Sequence, residues 1–251
     1  MKNNNRQKQN YSIYGINNSY ELLQSKKITI ISIFLSKQSR AFKEKKINNH
    51  IVRFKEKIIL FEKKDFNKKF RLIRSQGIVV NFKLSFKPLP KDFDKENICL
   101  LIPEEIEDPQ NLGQIIRTAE CAGIDGLLIS DHRTVGITDS VLQVSQGAFL
   151  NLPIYMIGNI SQTLLSLKKE GFWIIGVENS VDASNWYDID YSGKTIFVFG
   201  SEGRGIKSNT LKKCDDIVTI PMSGKINSLN ISASVSAVLF ERNRQLLTKS
   251  K

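Results

Sequence analysis

From Ile98 onward, short uninterrupted apolar runs alternate with helix-like segments, and this alternation is the strongest constraint on the fold. The runs are ICLLI (98–102), GLLIS (126–130), PIYMI (153–157), FWIIGV (172–177), TIFVFG (195–200) and DIVTI (216–220). Runs of this kind suit strands that are buried on both faces of a parallel sheet. Helices are predicted between them, over 109–122, 139–147, 161–170, 207–213 and 228–247. The sequence therefore predicts an open α/β architecture.

Charge is unevenly distributed between the two parts of the chain. Residues 1–97 carry 23 Lys and Arg against 8 Asp and Glu, a net of +15, whereas residues 98–251 carry 14 against 17, a net of −3. Such an asymmetry is typical of a basic module that binds a polyanion, joined to a near-neutral module with another task. A general enrichment in Lys, Asn and Ile explains the abundance of Lys better than it explains its concentration before residue 98.

The first part of the chain has the pattern of a small α/β domain over residues 11–82. Residues 1–10 are polar and are predicted to be a disordered tail. A turn at Gly15 is followed by a helix, then by a β-rich run, and a closing strand is predicted at 77–82. Two prolines and mixed charge make 83–97 a predicted linker to the domain of residues 98–251.

Cysteine and histidine are too few and too scattered to predict a metal site or a disulfide framework. Cys99, Cys121 and Cys214 have no C-x-x-C spacing, which fits a reducing compartment such as the cytoplasm. No apolar run approaches the roughly 20 residues that a membrane helix needs, and no signal-peptide core follows the first residues. We therefore expect neither a metal nor a membrane partner.

Residues 107–126, EDPQNLGQIIRTAECAGIDG, predict a capped helix with a polar flank. Asp108 can cap this helix, and a proline follows at its first position. Asn111, Gln114 and Arg117 share a flank near the positive helix N-terminus, where such side chains can hold a phosphate or a ribose. A merely solvated polar face explains the same spacing, and spacing alone favours that simpler interpretation.

Residues 197–206, FVFGSEGRGI, place glycines between a strand and a helix. At such a junction a nucleotide can meet backbone amides. The segment lacks the Gly-Lys-Ser/Thr ending of a Walker A motif, and it is not a clean dinucleotide fingerprint. A simple tight turn is the alternative.

Residues 220–241, IPMSGKINSLNISASVSAVLFE, combine a strand end, a loop and a long helix rich in small residues. Ser228 is predicted to cap that helix, with Leu229 and Asn230 in its first turn. A loop followed by an ordinary core helix is the alternative interpretation.

Together, DPQNLGQIIRTAE, GSEGRGI and IPMSGKINSLNISASVSAVLFE resemble motifs 1, 2 and 3 of the SpoU-type branch of the SPOUT RNA 2′-O-ribose methyltransferases. Their order, spacing and position at strand–loop–helix junctions also match, and the resemblance covers residues 98–247. YSIYGINNSYELL and RSQGIVV resemble the ends of a ribosomal-protein-like RNA-binding domain. That domain occurs in members that methylate a guanosine of large-subunit (23S) rRNA, which have His where this chain has Ser75.

The resemblance implies a trefoil-knotted, Rossmann-like parallel sheet preceded by a small N-terminal α/β RNA-binding domain. It implies a homodimer, with the helix of 228–247 and the first motif at the interface. The expected substrate is RNA, either 23S rRNA or a pre-ribosomal particle. The expected reaction is methyl transfer from S-adenosylmethionine to a ribose 2′-hydroxyl.

Carried over residue by residue, the resemblance also implies the site. The cofactor would contact Gly200, Glu202, Gly203, Ile220, Met222, Ser228 and Leu229. Catalysis would involve Arg117, Asn111, Glu202 and Asn230. A guanidinium normally stays protonated, so we interpret Arg117 as a clamp on phosphate and 2′-oxygen rather than as a base. The two asparagines would hydrogen-bond the ribose or Arg117, and Glu202 would orient Arg117 or Asn230.

Three alternatives remain at this point. A tRNA ribose methyltransferase would carry the same motifs, although the separate basic domain favours rRNA. A non-catalytic RNA-binding protein on the same fold is disfavoured by the intact motifs. A nucleotide-binding oxidoreductase lacks the acidic residue expected about 20 residues beyond the glycine loop.

Overall fold

The computed structural model describes residues 9–71, 74–130, 134–180, 182–201, 203–226 and 228–249. In chain order the elements are β1 (Gln9–Tyr14), α1 (Ile16–Gln24), β2 (Thr29–Ser36), α2 (Arg40–Lys43), α3 (Lys45–Ile51), a 3-10 helix (Val52–Lys57), β3 (Ile58–Phe61), α4 (Lys63–Phe70), β4 (Ile78–Leu84), β5 (Ile98–Pro103), α5 (Pro109–Cys121), β6 (Gly126–Ser130), α6 (Asp139–Val144), a 3-10 helix (Ala148–Leu150), β7 (Ile154–Ile157), α7 (Ile160–Lys169), β8 (Trp173–Val177), β9 (Ser184–Asn185), β10 (Lys194–Phe199), α8 (Ser208–Leu211), β11 (Asp216–Thr219) and α9 (Ile231–Lys249).

These elements form two compact units. The first comprises the chain up to Phe86 together with Thr138–Leu150, and the second comprises Lys87–Ile137 and the chain from Asn151 onward. The first unit holds a four-stranded sheet of order β1-β4-β2-β3. In this sheet β4 is antiparallel to β1 and β2, and β3 joins β2 in parallel.

Most of the first unit follows the predicted pattern. The turn before α1 is made by Gly15 at φ 86°, a conformation that favours glycine, and Leu22 and Leu23 of α1 are fully buried. The sequence did not predict β1, whose ladder with β4 starts at Gln9 opposite Leu84. The last two residues of the predicted disordered tail therefore lie in a strand, because pairing with β4 satisfies their backbone.

Segment 138–150 comes from between β6 and β7 but packs with the first unit. The side chain of Gln143 hydrogen-bonds both backbone groups of Tyr14, accepting from its N–H at 3.0 Å and donating to its carbonyl at 3.0 Å. Asp139 accepts a hydrogen bond from the N–H of Ser12 at 2.9 Å. These side chains therefore pair with the outer edge of β1, which β4 leaves open on that side.

The second unit holds a seven-stranded parallel sheet of order β7-β6-β5-β10-β8-β11-β9. The predicted α/β architecture is confirmed, and all six predicted strands are present. Only β9, a two-residue strand paired with β11, was not predicted, because it is too short to carry a pattern. The continuous apolar runs of β5 and β6 are buried throughout, as two-sided burial requires.

Part of the predicted linker packs on this second unit. Lys87 forms an isolated parallel bridge with Tyr155 of β7. Phe93 packs edge-to-face on Phe172, with the ring centroids 4.9 Å apart. The chain from 87 to 97 thus contributes apolar contacts as well as connecting two sheets.

The cysteines are free thiols. Cys99 is fully buried in β5, and burial raises the pKa of its thiol to about 12, so it stays neutral at physiological pH. Among the described helices, none combines the length and apolar character needed to cross a bilayer.

The neighbouring strands β5 and β10 of the parallel sheet mark a topological switch. After β5 the chain continues to β6 on one side, whereas after β10 it continues to β11 on the other. In open α/β sheets, ligands bind outside the carboxyl ends of strands at such a switch. The two loops meet there, since the N–H of Glu104 donates to the carbonyl of Phe199 at 2.8 Å.

Candidate active site

The first motif forms α5, whose start is fixed by a side-chain cap. Asp108 accepts a hydrogen bond from the N–H of Gln110 at 2.8 Å, and Pro109 occupies the first helical position, as predicted. The predicted apolar stripe is fully buried and consists of Leu112, Ile115, Ile116 and Ala119. The polar residues of its first turns are thereby held next to the carboxyl end of β5.

The first and third motifs meet through their asparagines. The Nδ2 of Asn230 donates to Oδ1 of Asn111 at 3.1 Å, and Asn111 is only 7% exposed. One turn further along α5, Gln114 accepts a hydrogen bond from the hydroxyl of Ser232 at 2.9 Å. Two of the three residues on the polar flank of α5, Asn111 and Gln114, therefore contact the start of α9.

The predicted role of Ser228 as the cap of the last helix is wrong. That helix, α9, begins at Ile231, three residues later than predicted. Asn230 provides the capping contact instead, because its Oδ1 accepts from the N–H of Ser232 at 2.9 Å. Ser228 lies in the exposed loop that precedes the helix.

The glycine loop after β10 is a closed turn that requires glycine at two positions. Ser201 and Gly205 exchange two backbone hydrogen bonds, of 3.1 and 3.0 Å. A Cβ on Gly200 would lie 2.0 Å from the carbonyl carbon of Gly205, a contact that no side chain tolerates. Gly205 itself has φ 66° and would place a Cβ 2.8 Å from the carboxylate of Glu178.

Two carboxylates that the sequence analysis missed hold this loop from the ends of neighbouring strands. Glu178, directly after β8, accepts from the N–H of Ile206 at 3.0 Å. Glu104, directly after β5 and 3% exposed, accepts from the N–H of Lys207 at 3.0 Å and from the hydroxyl of Thr210 at 2.8 Å. The available signal in the sequence was an acidic residue directly after each of these two buried strands.

A cavity of about 260 Å³ collects most of the predicted cofactor residues. Its wall includes Gly200, Gly203, Ile220, Met222, Ser228 and Leu229. The remaining lining comes from the ends of β8, β10 and β11 and the start of α9, including Glu178, Thr219 and Ile231. Glycine backbone and apolar side chains thus face one space at the carboxyl edge of the sheet.

A second cavity of about 290 Å³ adjoins the first and shares Ser201, Gly203, Arg204 and Ile231 with it. Asn111 lies on its wall together with residues of the loop after β5. Arg117, in contrast, is exposed on α5 and lines neither cavity. The structure therefore brings Asn111 to a cavity of its own chain, with Asn230 hydrogen-bonded to it, whereas neither Asn230 nor Arg117 lines either cavity.

Glu202, predicted for both catalysis and cofactor binding, lies outside the described residues. In the part of the chain that the structure describes, no three His, Cys, Asp or Glu side chains are grouped as metal ligands would be.

Comparison with known sequences identifies relatives of this chain. The model of the SpoU rRNA Methylase family matches residues 99–240. A Staphylococcus saprophyticus protein named for the TrmH family of tRNA/rRNA methyltransferases is 38% identical over 142 residues, which cover 57% of each chain. The 23S rRNA (guanosine-2'-O-)-methyltransferase RlmB of Shewanella oneidensis is 30% identical over 93% of this chain and 96% of its own length.

Solved structures show the same fold. The SpoU methyltransferase AviRb from Streptomyces viridochromogenes has a TM-score of 0.81 at 19% identity, covering 96% of this chain and 91% of AviRb. A second structure of AviRb, in complex with the cofactor AdoMet, has a TM-score of 0.80. The family match spans all three motifs and both cavity-forming loops, which confirms the resemblance read from the sequence. The chain belongs to the SpoU rRNA methylase family.

Proposed function

We propose that this protein transfers the methyl group of S-adenosylmethionine to a ribose 2′-hydroxyl of RNA, and that its target is a guanosine of 23S rRNA. The observation that carries the proposal is the pair of adjoining cavities at the switch between β5 and β10. The lining of the 260 Å³ cavity suits the methyl donor, and the 290 Å³ cavity adjoins the 260 Å³ cavity. The name of the Shewanella relative supports guanosine of 23S rRNA as the target.

The chemistry of the 260 Å³ cavity fits S-adenosylmethionine better than a phosphorylated nucleotide. Among its described lining residues, Arg204 is the only cation, and Glu178 supplies a carboxylate. ATP and NAD carry phosphates, which require several donors or a cationic wall. S-adenosylmethionine has no phosphate and would supply an electrophilic methyl group. The glycine backbone offers fixed donors and acceptors to its adenine edge, and Ile220, Met222 and Leu229 offer apolar contact.

The residues of this chain have to position the hydroxyl and hold the developing charge. Asn111 and Asn230 are fixed by their mutual hydrogen bond and by the helices that carry them, so their amides are preorganised for the ribose. Arg117 remains our candidate for the clamp on phosphate and 2′-oxygen. The proton of the 2′-hydroxyl would then leave to a phosphate oxygen or to water.

The exposure of Arg117 supports a homodimer with shared sites. We propose that α9 and the first motif form the interface and that Arg117 reaches the cavities of the second copy. Exposed apolar side chains lie on α9 and in the loop before it, where Phe240 is 49%, Leu247 69% and Ile226 76% exposed. Burying such side chains against a partner is favourable.

The trefoil knot implied by the family belongs to the same proposal, supported by the likeness to AviRb.

We assign RNA binding to the first unit, which contains most of the +15 net charge of residues 1–97. Arg40, Lys43 and Lys45 line a concave surface there, together with Gln38 and Glu44. Phosphate oxygens of RNA are the natural partners of such a surface. A cytoplasmic location, where rRNA is available, is part of this proposal.

The test is to incubate the full chain with unmodified 23S rRNA transcript and labelled S-adenosylmethionine, and to map ribose methylation. We expect one methylated guanosine, and none without protein. Labelling of tRNA transcripts in place of rRNA would establish the tRNA alternative. Cofactor binding without transfer to any RNA would establish the non-catalytic alternative.

A further inference from the structure

The 290 Å³ cavity carries acidic side chains, which is unexpected for a surface that meets RNA. Glu105, Glu107 and Asp108 reach it from the loop after β5, and Arg204 reaches it from the glycine loop. Carboxylates repel phosphates, so they do not contribute to general RNA affinity. Because these carboxylates lie beside the cofactor cavity, we expect them to bind an RNA group that donates hydrogen bonds.

Two of these three carboxylates are already engaged. Glu105 is paired with the ammonium of Lys207 at 2.6 Å. Asp108 caps α5 through the N–H of Gln110 at 2.8 Å. Glu107 is exposed, and no described residue forms a hydrogen bond or ion pair with its side chain. As far as the described residues are concerned, its carboxylate is therefore available to a ligand.

A carboxylate accepts hydrogen bonds and donates none, which selects among the four bases. Guanine presents two adjacent donors on its Watson–Crick edge, N1–H and the N2 amino group. Adenine, cytosine and uracil each place at least one acceptor beside their donor on that edge, and an acceptor facing a carboxylate is repelled. A carboxylate that meets this edge therefore accepts two bonds from guanine alone.

We propose that the 290 Å³ cavity receives the base of the target nucleotide and that Glu107 determines specificity by accepting hydrogen bonds from N1–H and N2–H of guanine. This inference rests on the proposed methyl transfer, since the cavity matters only if a target ribose lies at the adjoining one. Ser201, Gly203, Arg204 and Ile231 belong to both walls, so a base in one cavity has its ribose near the other. Arg204 on the same wall lowers the repulsion between Glu107 and the RNA backbone.

The test combines a substitution in the protein with one in the RNA. The methylated guanosine of the 23S rRNA transcript is replaced by inosine, which lacks only the N2 amino group, by ligation of a synthetic fragment. For the native protein we expect kcat/KM to fall about tenfold or more on inosine. For Glu107→Ala we expect a lower kcat/KM on guanosine but less than about a twofold further effect of inosine, because no side-chain acceptor for N2 remains at this position.

Glu170→Ala is the matched control, because Glu170 is also exposed in the second unit but lines neither cavity. It should behave as the native protein on both RNAs. Calorimetry with S-adenosylmethionine should give native affinity for both variants, which shows that Glu107→Ala is folded. If inosine costs Glu107→Ala as much as it costs the native protein, Glu107 does not contact N2 and the inference is overturned. Methylation of a nucleotide other than guanosine overturns it as well and leaves methyl transfer standing, whereas absence of any RNA methylation removes the proposed function itself.

Discussion

The side-chain amide of Asn230 donates a hydrogen bond to the side-chain oxygen of Asn111 at 3.1 Å, which ties the start of α9 to the first turn of α5. The same Asn230 side chain accepts from the N–H of Ser232 and so caps its own helix. One residue thus has a structural contact through its oxygen and a contact with the other motif through its nitrogen. Substitutions can separate these two roles.

Asn230→Asp should keep the cap and lose the donation to Asn111, whereas Asn230→Ala should lose both. We expect the free energy of unfolding to fall by about 1 kcal/mol in the Ala variant and to change little in the Asp variant. Single-turnover methyl transfer should fall about tenfold or more in both, since both variants lose the hydrogen bond that joins the first and third motifs. Native transfer rates in the Asp variant would limit the asparagine pair to a structural role.

Gly200→Ala should abolish binding of S-adenosylmethionine, because its Cβ would lie 2.0 Å from the backbone of Gly205 and push the loop open. Isothermal calorimetry measures the affinity directly. Gly136→Ala is the control, since a Cβ there meets no atom within 4 Å and φ is not positive.

The native protein should show no heat with NAD or ATP. Tight NAD binding would instead support the oxidoreductase alternative.

Arg117→Ala should lower the rate of methyl transfer by about 10²–10³-fold, the usual cost of a lost electrostatic contact in a transition state. Cofactor affinity should stay native, because the cofactor cavity is lined by the loops after β8, β10 and β11 and by the start of α9, which are unchanged in this variant. Arg117→Lys should also fail, since a point ammonium cannot reproduce a two-oxygen fork. A Lys variant with most of the native single-turnover rate at saturating RNA would contradict the clamp.

Coexpression of Arg117→Ala with Gly200→Ala tests whether Arg117 acts across a dimer. If the partner supplies Arg117, each mixed dimer has one intact site, and random pairing restores about a quarter of native activity. If Arg117 acts within its own chain, every site in the mixture is defective and activity stays at the level of the variants alone. Differently tagged copies allow the mixed dimers to be isolated and assayed.

Replacing Arg40, Lys43 and Lys45 together by Gln should weaken RNA binding by the first unit. The slope of log affinity against log salt should become shallower by about 2 to 3, as expected when three phosphate contacts are lost. Gln at Lys169 and Lys212, exposed cations of the second unit, should leave the slope unchanged. An unchanged slope in the triple variant would place the RNA elsewhere.

The sequence predicted the parallel sheet well because every buried strand carries its own local signal. Runs such as ICLLI and TIFVFG predict a strand without knowledge of the neighbouring strands. In the same way, Asp108 and Pro109 alone predict the capped start of α5. β1 has no such signal, since its place depends on β4, almost seventy residues away along the chain.

The sequence predicted which loops form the candidate site, but it did not predict several of the side-chain contacts within the site. Motif order identified the residues that line the cofactor cavity. Glu104 and Glu178 were missed because their role is to bind the backbone of a loop that lies 28 to 103 positions away in sequence. The distance of Arg117 from the cavities of its own chain was missed because helix periodicity places a side chain on a face but does not say what that face meets.

Segment 138–150 belongs to the first unit although it follows part of the second unit in the chain, and this sets an order of events during synthesis. The outer edge of β1 and the ring of Phe82, which stacks on Phe149, find their partners only after residue 150 has left the ribosome. At about 5–20 residues per second, the interval after Phe86 lasts roughly 3 to 13 s. The first unit therefore cannot be completed before β5, α5 and β6 of the second unit have been synthesised. Nascent chains arrested before residue 138 should expose an open strand edge to chaperones, and those arrested well beyond residue 150 should not.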